Sequence, residues 1–189
     1  MKIKLFYPTK PWRVNQPFGN VSPMYTNLGL KGHNGIDAYC VDAQPIRASH
    51  DGIVVFTGED GSGGLGVVIR STEQFDYGQT QSFYKTIYWH LKPSTFRVKP
   101  GQAVKTGEIL ALADNTGMST GTHLHFGLKP VYKGEQDWEW WNAEQDNGFK
   151  GSIDPQSFFT GIYAENQILL PLYQQLLLLL KKLLGILKK

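Results

Sequence analysis

The sequence contains almost no cysteine: Cys40 is the single one among 189 residues. One cysteine excludes an intramolecular disulfide and leaves the redox compartment undetermined. Cys40 follows Asp37 at an odd offset, so on an extended backbone the two side chains would point to opposite faces. We expect Cys40 to be a buried thiol that packs as a small hydrophobe.

The main part of the chain also lacks an excess of charge of either sign. The formal net charge of +3 arises in residues 161–189, which contain four lysines and one glutamate. Residues 1–160 therefore hold 15 basic and 15 acidic residues. This balance, without a basic stripe, argues against a nucleic acid as the partner.

A long hydrophobic run is missing from the start of the sequence. The first twelve residues, MKIKLFYPTKPW, contain two early lysines but only a brief apolar stretch before Pro8. A secretory signal needs a longer apolar segment, so we expect the sequence as written to carry none.

Residues 1–160 also lack a long apolar period of helical type, whereas 21 glycines and 10 prolines in the chain indicate frequent turns. Four short runs rich in Val, Ile, Phe and Tyr predict strands, at residues 52–58, 66–71, 83–91 and 123–128. We therefore predict a mainly β fold, an antiparallel β sandwich or barrel-like domain over residues 1–160.

Two further segments carry turn signals. Residues 99–110, KPGQAVKTGEIL, predict a tight apolar hairpin around Thr106 and Gly107. Residues 153–159, IDPQSFF, predict a closing turn that returns two phenylalanines to the core.

Histidines provide the chemistry that the sequence does contain. His33 and Asp37 are four residues apart in GHNGIDAYC, where Asn34-Gly35 favours a turn or extended segment over a helix. His123 and His125 alternate with apolar residues in THLHFGL, so both rings would project from one face of a strand. His90 ends the β-branched and aromatic run IYWHL.

These residue types suit a catalytic zinc site. Such a site uses three protein ligands from His and carboxylate side chains, leaves a fourth position open, and lowers the pKa of water to about 7. Two histidines and one aspartate would fill the three positions, and the remaining histidines could act as a base or as donors to an oxyanion.

Three motifs together resemble the signature of the lysostaphin-type, or glycyl-glycine endopeptidase-like, zinc metallopeptidases. They are GHNGID (32–37), YWHL (88–91) and MSTGTHLHFGL (118–128). QPFG, PGQAVKTGEIL and IDPQSFF also fit that family in order and rough spacing. The resemblance covers about residues 11–160.

The resemblance implies specific roles for five residues. It makes His33, Asp37 and His125 the ligands of Zn²⁺, and His90 and His123 the catalytic histidines, without deciding which of the two is the general base. It implies a zinc metalloendopeptidase that hydrolyses peptide bonds of bacterial cell-wall peptidoglycan, in the stem or the cross-bridge.

Three alternatives to this activity stay open. The chain could be a non-catalytic, peptidoglycan-binding or regulatory member of the same family. It could be a sugar-phosphotransferase component that carries phosphate on a histidine, although such a carrier needs no aspartate four residues after His33. It could also be a structural phage tail or membrane-anchored protein.

Some residues outside the motifs carry separate expectations. His50 precedes a predicted strand, and we expect it at the surface. Trp138, Trp140 and Trp141, with Tyr132, either line a cleft for substrate or staple a long loop to the sheet. Tyr88 and Trp89 are expected to divide between the core and a cleft wall.

Residues 161–189 form a different kind of sequence. On a helical wheel their glutamines and lysines occupy one arc and leucine and isoleucine the rest, which predicts a basic amphipathic helix. Such a helix suits the surface of an anionic membrane or a packing partner. We expect the enzyme to act at the bacterial cell wall. A lysin that is released from the cytoplasm on lysis, or carried on a phage particle, would reach the wall without a signal peptide.

Overall fold

The structure is a computed structural model, and it describes residues 1–133, 140–144 and 147–161, together with Leu176 and Leu180. Most elements are short strands: β1 (Leu5–Phe6), β2 (Val14–Gln16), β3 (Ile36–Tyr39), β4 (Pro45–Arg47), β5 (Gly52–Glu59), β6 (Leu65–Ser71), β7 (Phe75–Tyr77), β8 (Thr80–Trp89), β9 (Ala103–Val104), β10 (Ile109–Leu112), β11 (His123–Lys133), β12 (Trp140–Asn142) and β13 (Phe159–Gly161).

Helical structure within the described residues is brief. Helix α1 (Pro23–Asn27) begins at Ser22, whose side chain accepts a hydrogen bond from the backbone N–H of Met24. Pro23 fits the first helical turn, where its missing N–H costs no hydrogen bond. Single 3-10 turns occupy Gly61–Gly63 and Gln156–Phe158.

The main sheet is antiparallel and joins its strands in the order β2-β3-β11-β8-β6-β5-β9. All four strand predictions are confirmed, since β5, β6, β8 and β11 overlap the four predicted runs. The mainly β, antiparallel prediction is confirmed as well. The barrel-like alternative is not, because within the described residues the sheet ends at β2 and β9 without closing.

Alternation along β11 separates the core from the opposite face of the sheet. Leu124, Phe126 and Leu128 are fully buried in the core, as expected from the THLHFGL pattern. Burying each of these side chains contributes about 1.5–3 kcal/mol to folding. Because side chains alternate, His123 and His125 point from the other face.

The predicted hairpin at residues 99–110 is wrong, although its turn is present. Strand β9 pairs with β5, and β10 pairs with β4, so the two arms belong to different sheets. The turn is held from outside: Gly107 donates its N–H to Ala48, and Asp51 accepts hydrogen bonds from both the backbone and the hydroxyl of Thr106.

The closing turn behaves as predicted. Phe158 and Phe159 pack against the core, and β13 runs parallel to β1 with Leu5 opposite Phe159. Cys40 is also buried as expected, with its thiol 3.7 Å from the hydroxyl of Thr9. Tyr88 lies in the core, whereas Trp89 is partly exposed.

The surface position predicted for His50 is wrong. Its side chain is buried, with 5% of its surface exposed. Nδ1 lies 2.8 Å from the carbonyl oxygen of Asp51, and Nε2 lies 2.9 Å from the hydroxyl of Thr86. The Thr86 hydroxyl is 3.1 Å from that of Tyr88, which accepts a hydrogen bond from the backbone of Ser49. A polar chain inside the core therefore satisfies His50.

Most of residues 161–189 lies outside the described part of the chain, so the amphipathic helix and the two-part division at residue 160 stay predictions. Among the residues that the structure does describe, no helix is long and apolar enough to cross a membrane.

Candidate metal centre and active site

Two neighbouring strands of the main sheet bring Asp37 and His125 together. Strands β3 and β11 pair antiparallel, and their register places His125 directly opposite Asp37. Directly opposed residues project from the same face with Cβ atoms about 5 Å apart. The sheet thus joins two residues that are 88 positions apart in the sequence.

His33 reaches the same point from the loop before β3. Backbone hydrogen bonds from His33 to Asn20, and from Gly19 to His33, hold this loop. The Nδ1 atom of His33 lies 3.2 Å from the carbonyl oxygen of Pro17, and Tyr25 stacks on the ring with centroids 5.2 Å apart. The contact with Pro17 therefore holds the edge of the His33 ring, and Tyr25 packs against its face.

The ligand atoms of these three residues form a compact triangle. Nε2 of His33 lies 2.9 Å from Nδ1 of His125, and both nitrogens lie 3.1 Å from Oδ1 of Asp37. A tetrahedral zinc with bonds of about 2.0–2.1 Å separates its ligand atoms by about 3.3–3.4 Å. The triangle is thus close to the size that such an ion requires.

Proton positions also fit a cation. The Pro17 carbonyl can only accept, so Nδ1 of neutral His33 carries the proton and Nε2 presents a lone pair. A proton on Nδ1 of His125 could be shared with Nε2 of His33 and Oδ1 of Asp37. The remaining contact, between Nε2 of His33 and Oδ1 of Asp37, would then join two acceptors without a proton between them. A divalent cation between the three atoms satisfies all of them.

Burial and charge support the same assignment. All three side chains are buried, with His33 1%, Asp37 8% and His125 9% exposed. Burial by itself would raise the pKa of the Asp37 carboxyl, but hydrogen bonds from His125 and His33 outweigh it and the pKa is lowered. Burial also lowers the pKa of His125. An ionised carboxylate beside a neutral imidazole is the state that binds a metal.

His90 stands next to this triangle in an unusual backbone conformation. It follows β8 with φ of 63°, a left-handed value that is uncommon for residues other than glycine. Its Nδ1 lies 2.6 Å from the carbonyl oxygen of Thr116, which requires a proton on Nδ1 and leaves a lone pair on Nε2. Burial lowers the pKa of His90 to about 4, so the ring is neutral at pH 7.

His123 approaches from the first position of β11. Its Nδ1 lies 2.8 Å from the carbonyl oxygen of Gly121 and 3.2 Å from the hydroxyl of Ser119. Its Nε2 lies 3.6 Å from Oδ1 of Asp37, and its ring centroid lies 4.5 Å from that of His90. The two imidazoles therefore stand side by side at the edge of the triangle.

The structure thus brings together all five residues singled out from the sequence, whose roles stay predictions. It also adds four that sequence reasoning missed: Pro17, Tyr25, Gly35 and Thr116. Gly35 is needed for space, since a Cβ there would lie 2.6 Å from Cε1 of His125 and 2.7 Å from the carbonyl oxygen of Phe126. Its place between His33 and Asp37 was the available signal.

The segment that carries the three tryptophans lies partly outside the described residues. Trp138 and the side chains of Trp140 and Trp141 lie outside the described residues, so their predicted roles stay open. Tyr132 is 46% exposed on β11.

Comparisons with known proteins identify related chains. Over 115 residues the sequence is 36% identical to the DD-carboxypeptidase/endopeptidase Mpg of Neisseria meningitidis serogroup B, covering 60% of this chain and 24% of that protein. It is 36% identical over 104 residues to the glycyl-glycine endopeptidase ALE-1 of Staphylococcus capitis, covering 52% and 25%. The matched region thus spans about a quarter of the length of these relatives.

A solved structure agrees with these relatives. The fold resembles the crystal structure of a zinc containing peptidase from Vibrio cholerae, at 27% identity and a TM-score of 0.55, over 76% of this chain and 39% of that one. The model of Peptidase family M23 matches residues 31–137, more than half of the chain, and this range includes all five site residues. The resemblance seen in the motifs is confirmed, and the chain belongs to Peptidase family M23.

Proposed function

We propose that this protein is a zinc-dependent endopeptidase that hydrolyses peptide bonds in bacterial peptidoglycan. The observation that carries the proposal is the triangle of His33 Nε2, Asp37 Oδ1 and His125 Nδ1, with sides of 2.9, 3.1 and 3.1 Å. Two neutral imidazoles and one carboxylate are a typical catalytic zinc set with one position left open.

The three ligands would hold zinc, which polarises a scissile carbonyl and lowers the pKa of water when bound. Asp37 would supply the negative charge that keeps the ion in place. The contact between Nδ1 of His33 and the carbonyl oxygen of Pro17 would keep His33 in the tautomer whose Nε2 is free to bind the metal.

His90 and His123 would manage the protons of the hydrolysis. Each ring has its Nδ1 within hydrogen-bond distance of a backbone carbonyl, so Nε2 is the nitrogen of each ring that is left to exchange protons. Burial lowers the pKa of His90, so its Nε2 would begin as a proton acceptor. The ring that accepts a proton from water would then become the donor to the leaving amine or the oxyanion.

The substrate class is supported by the relatives. Their names describe a DD-carboxypeptidase/endopeptidase and a glycyl-glycine endopeptidase, which act on peptide bonds. For this chain we propose stem or cross-bridge peptides of peptidoglycan, and hence action at the bacterial cell wall, after release from the cytoplasm on lysis or delivery on a phage particle.

The proposal is tested by the release of soluble fragments from purified sacculi of several cross-link types. Native protein, chelator-treated protein and protein restored with zinc are compared with His123→Ala, and fragment masses identify the bond. Activity should disappear on chelation, return with zinc and be lost in His123→Ala. His50→Gln is the matched control, because it removes a histidine outside the site and should keep activity.

Two results would contradict the proposal. A folded protein that binds no zinc would remove its metal basis. A zinc-loaded protein that releases nothing from any sacculus would favour the non-catalytic, peptidoglycan-binding alternative.

A further inference from the structure

Three basic residues stand side by side on the face of the sheet that carries the metal ligands. Arg70 on β6 is directly opposite Lys85 on β8, and Lys85 is directly opposite Lys129 on β11. Their neighbours Ile69, Thr86 and Leu128 are fully buried on the core side, so alternation places the three cations on the other face. We refer to Arg70, Lys85 and Lys129 as the basic row.

The basic row lies on the same strands as the candidate active site. Lys129 is four residues beyond His125 on β11, and Lys85 is four residues before Trp89, the partner of His125 on β8. No register shift interrupts the β11–β8 pairing between these positions. Four residues of strand extend about 13 Å, so the row lies about that far from His125 along the same face of the sheet.

This arrangement places positive charges on three adjacent strands of the sheet. Like charges directly opposite each other on adjacent strands destabilise a sheet. All three residues of the row are only partly exposed. Burial lowers the pKa of Lys129 and Lys85 lowers it further, against an opposing contribution from Asp60. Burial and the charge of Arg70 lower the pKa of Lys85.

We propose that Lys85 and Lys129 form a subsite for a carboxylate of the peptide substrate. The inference rests on the proposed function and deepens it. Peptidoglycan stem peptides carry free carboxylates, and an extended peptide covers about 3.3–3.6 Å per residue. A carboxylate in the subsite would therefore lie about four residues from the scissile bond. Two ammonium groups from paired strands can bracket one carboxylate with charge-assisted hydrogen bonds.

The experiment compares two cross-linked stem peptides with the zinc-loaded full chain. The peptides are identical except that the free carboxyls of one are amidated in the other. We expect kcat/KM for the free-carboxylate peptide to exceed that for the amidated peptide by about tenfold, the ratio that a single charge-assisted contact provides. Lys129→Gln should lose most of this preference, and Lys129→Glu should invert it.

Lys99→Gln is the matched control, because Lys99 is exposed in the segment between β8 and β9. It should keep the preference of the native protein. Lys129→Glu removes the like-charge repulsion from Lys85 but places a carboxylate near Asp60, so chemical unfolding is used to confirm that the variant is folded. An unchanged preference in a folded Lys129→Glu protein would overturn the subsite.

A binding measurement separates the subsite from the proposed function. Backbone amide signals of Lys85 and Lys129 are followed by NMR while a stem tetrapeptide with a free or an amidated carboxyl is added. Shifts with the free form alone, absent in Lys129→Glu, would support the subsite even if neither peptide is cleaved. Equal shifts with both forms, or none with either, would overturn it.

Discussion

The Nδ1 atom of His90 donates a hydrogen bond of 2.6 Å to the carbonyl oxygen of Thr116. The hydroxyl of Thr116 in turn donates to the carbonyl of Leu91 at 2.9 Å and accepts from the N–H of Leu65 at 3.1 Å. Thr116 therefore ties its own loop to β6 and to the segment just after β8, and its backbone carbonyl sets the tautomer of His90. It is a positioning residue that needs to contact no substrate.

Replacing Thr116 tests this role. In Thr116→Val both hydroxyl hydrogen bonds are lost, which should cost about 1–3 kcal/mol of stability and loosen the carbonyl that orients His90. We expect kcat to fall about tenfold or more while zinc content stays unchanged, measured by metal analysis beside peptide hydrolysis. Thr116→Ser keeps the hydroxyl and should restore most of kcat. If both variants lose activity equally, the hydroxyl is not the cause.

Space around His125 provides a second prediction. Because a Cβ at position 35 would lie 2.6 Å from Cε1 of His125, Gly35→Ala should push the ring away from the triangle. We expect zinc affinity to fall about 10–100-fold, measured by competition with a chromogenic chelator. Gly127→Ala is the matched control, because Gly127 lies on β11 with His125 and a Cβ there would meet Ile87 at an ordinary distance of 3.4 Å. Equal affinities in the two variants would contradict the steric argument.

The C-terminal segment allows a third prediction from its sequence. A peptide of residues 165–189 carries four lysines among leucines and isoleucines in an amphipathic pattern. We expect it to become helical with anionic vesicles and to release an entrapped dye, as measured by circular dichroism and fluorescence. A peptide with the four lysines replaced by glutamine should bind far less. A peptide that stays unstructured and releases no dye would contradict the predicted contact with membranes.

The sequence was sufficient for those parts of the site that depend on alternation. His123 and His125 had to share a face of their strand once Leu124 and Phe126 were assigned to the core, and the structure confirms that separation. Motif resemblance then connected them with residues that are distant in the sequence.

Other features depend on contacts that local patterns cannot show. His50 was expected at the surface because its neighbours predict a turn, yet its partner Thr86 comes from a strand 36 positions away. The turn in residues 99–110 predicts that its two arms pair with each other. In the structure β9 pairs with β5 and β10 pairs with β4 instead. Long-range pairing decides both cases.

The buried chain around His50 leads to a prediction on pH. The carbonyl oxygen of Asp51 accepts from Nδ1 of His50, so Nε2 of the neutral ring accepts from the Thr86 hydroxyl. The Thr86 hydroxyl also lies 3.1 Å from the Tyr88 hydroxyl. A second proton on His50 would oppose this direction of donation. Burial accordingly lowers the pKa of His50 to about 4, from an ordinary value of 6.5.

Because the unfolded state binds this proton more readily, protein stability should fall as the pH drops below 6.5, and continue to fall until about pH 4. The shift corresponds to about 3 kcal/mol. His50→Gln can keep both hydrogen bonds without titrating, so its free energy of unfolding should depend less on pH by about that amount. Denaturant unfolding at pH 7 and pH 4, with a chelator present in every sample, measures the difference. Parallel pH dependence in the two proteins would show that His50 takes up its proton in the folded state at an ordinary pH, and that the hydroxyl chain does not hold it neutral.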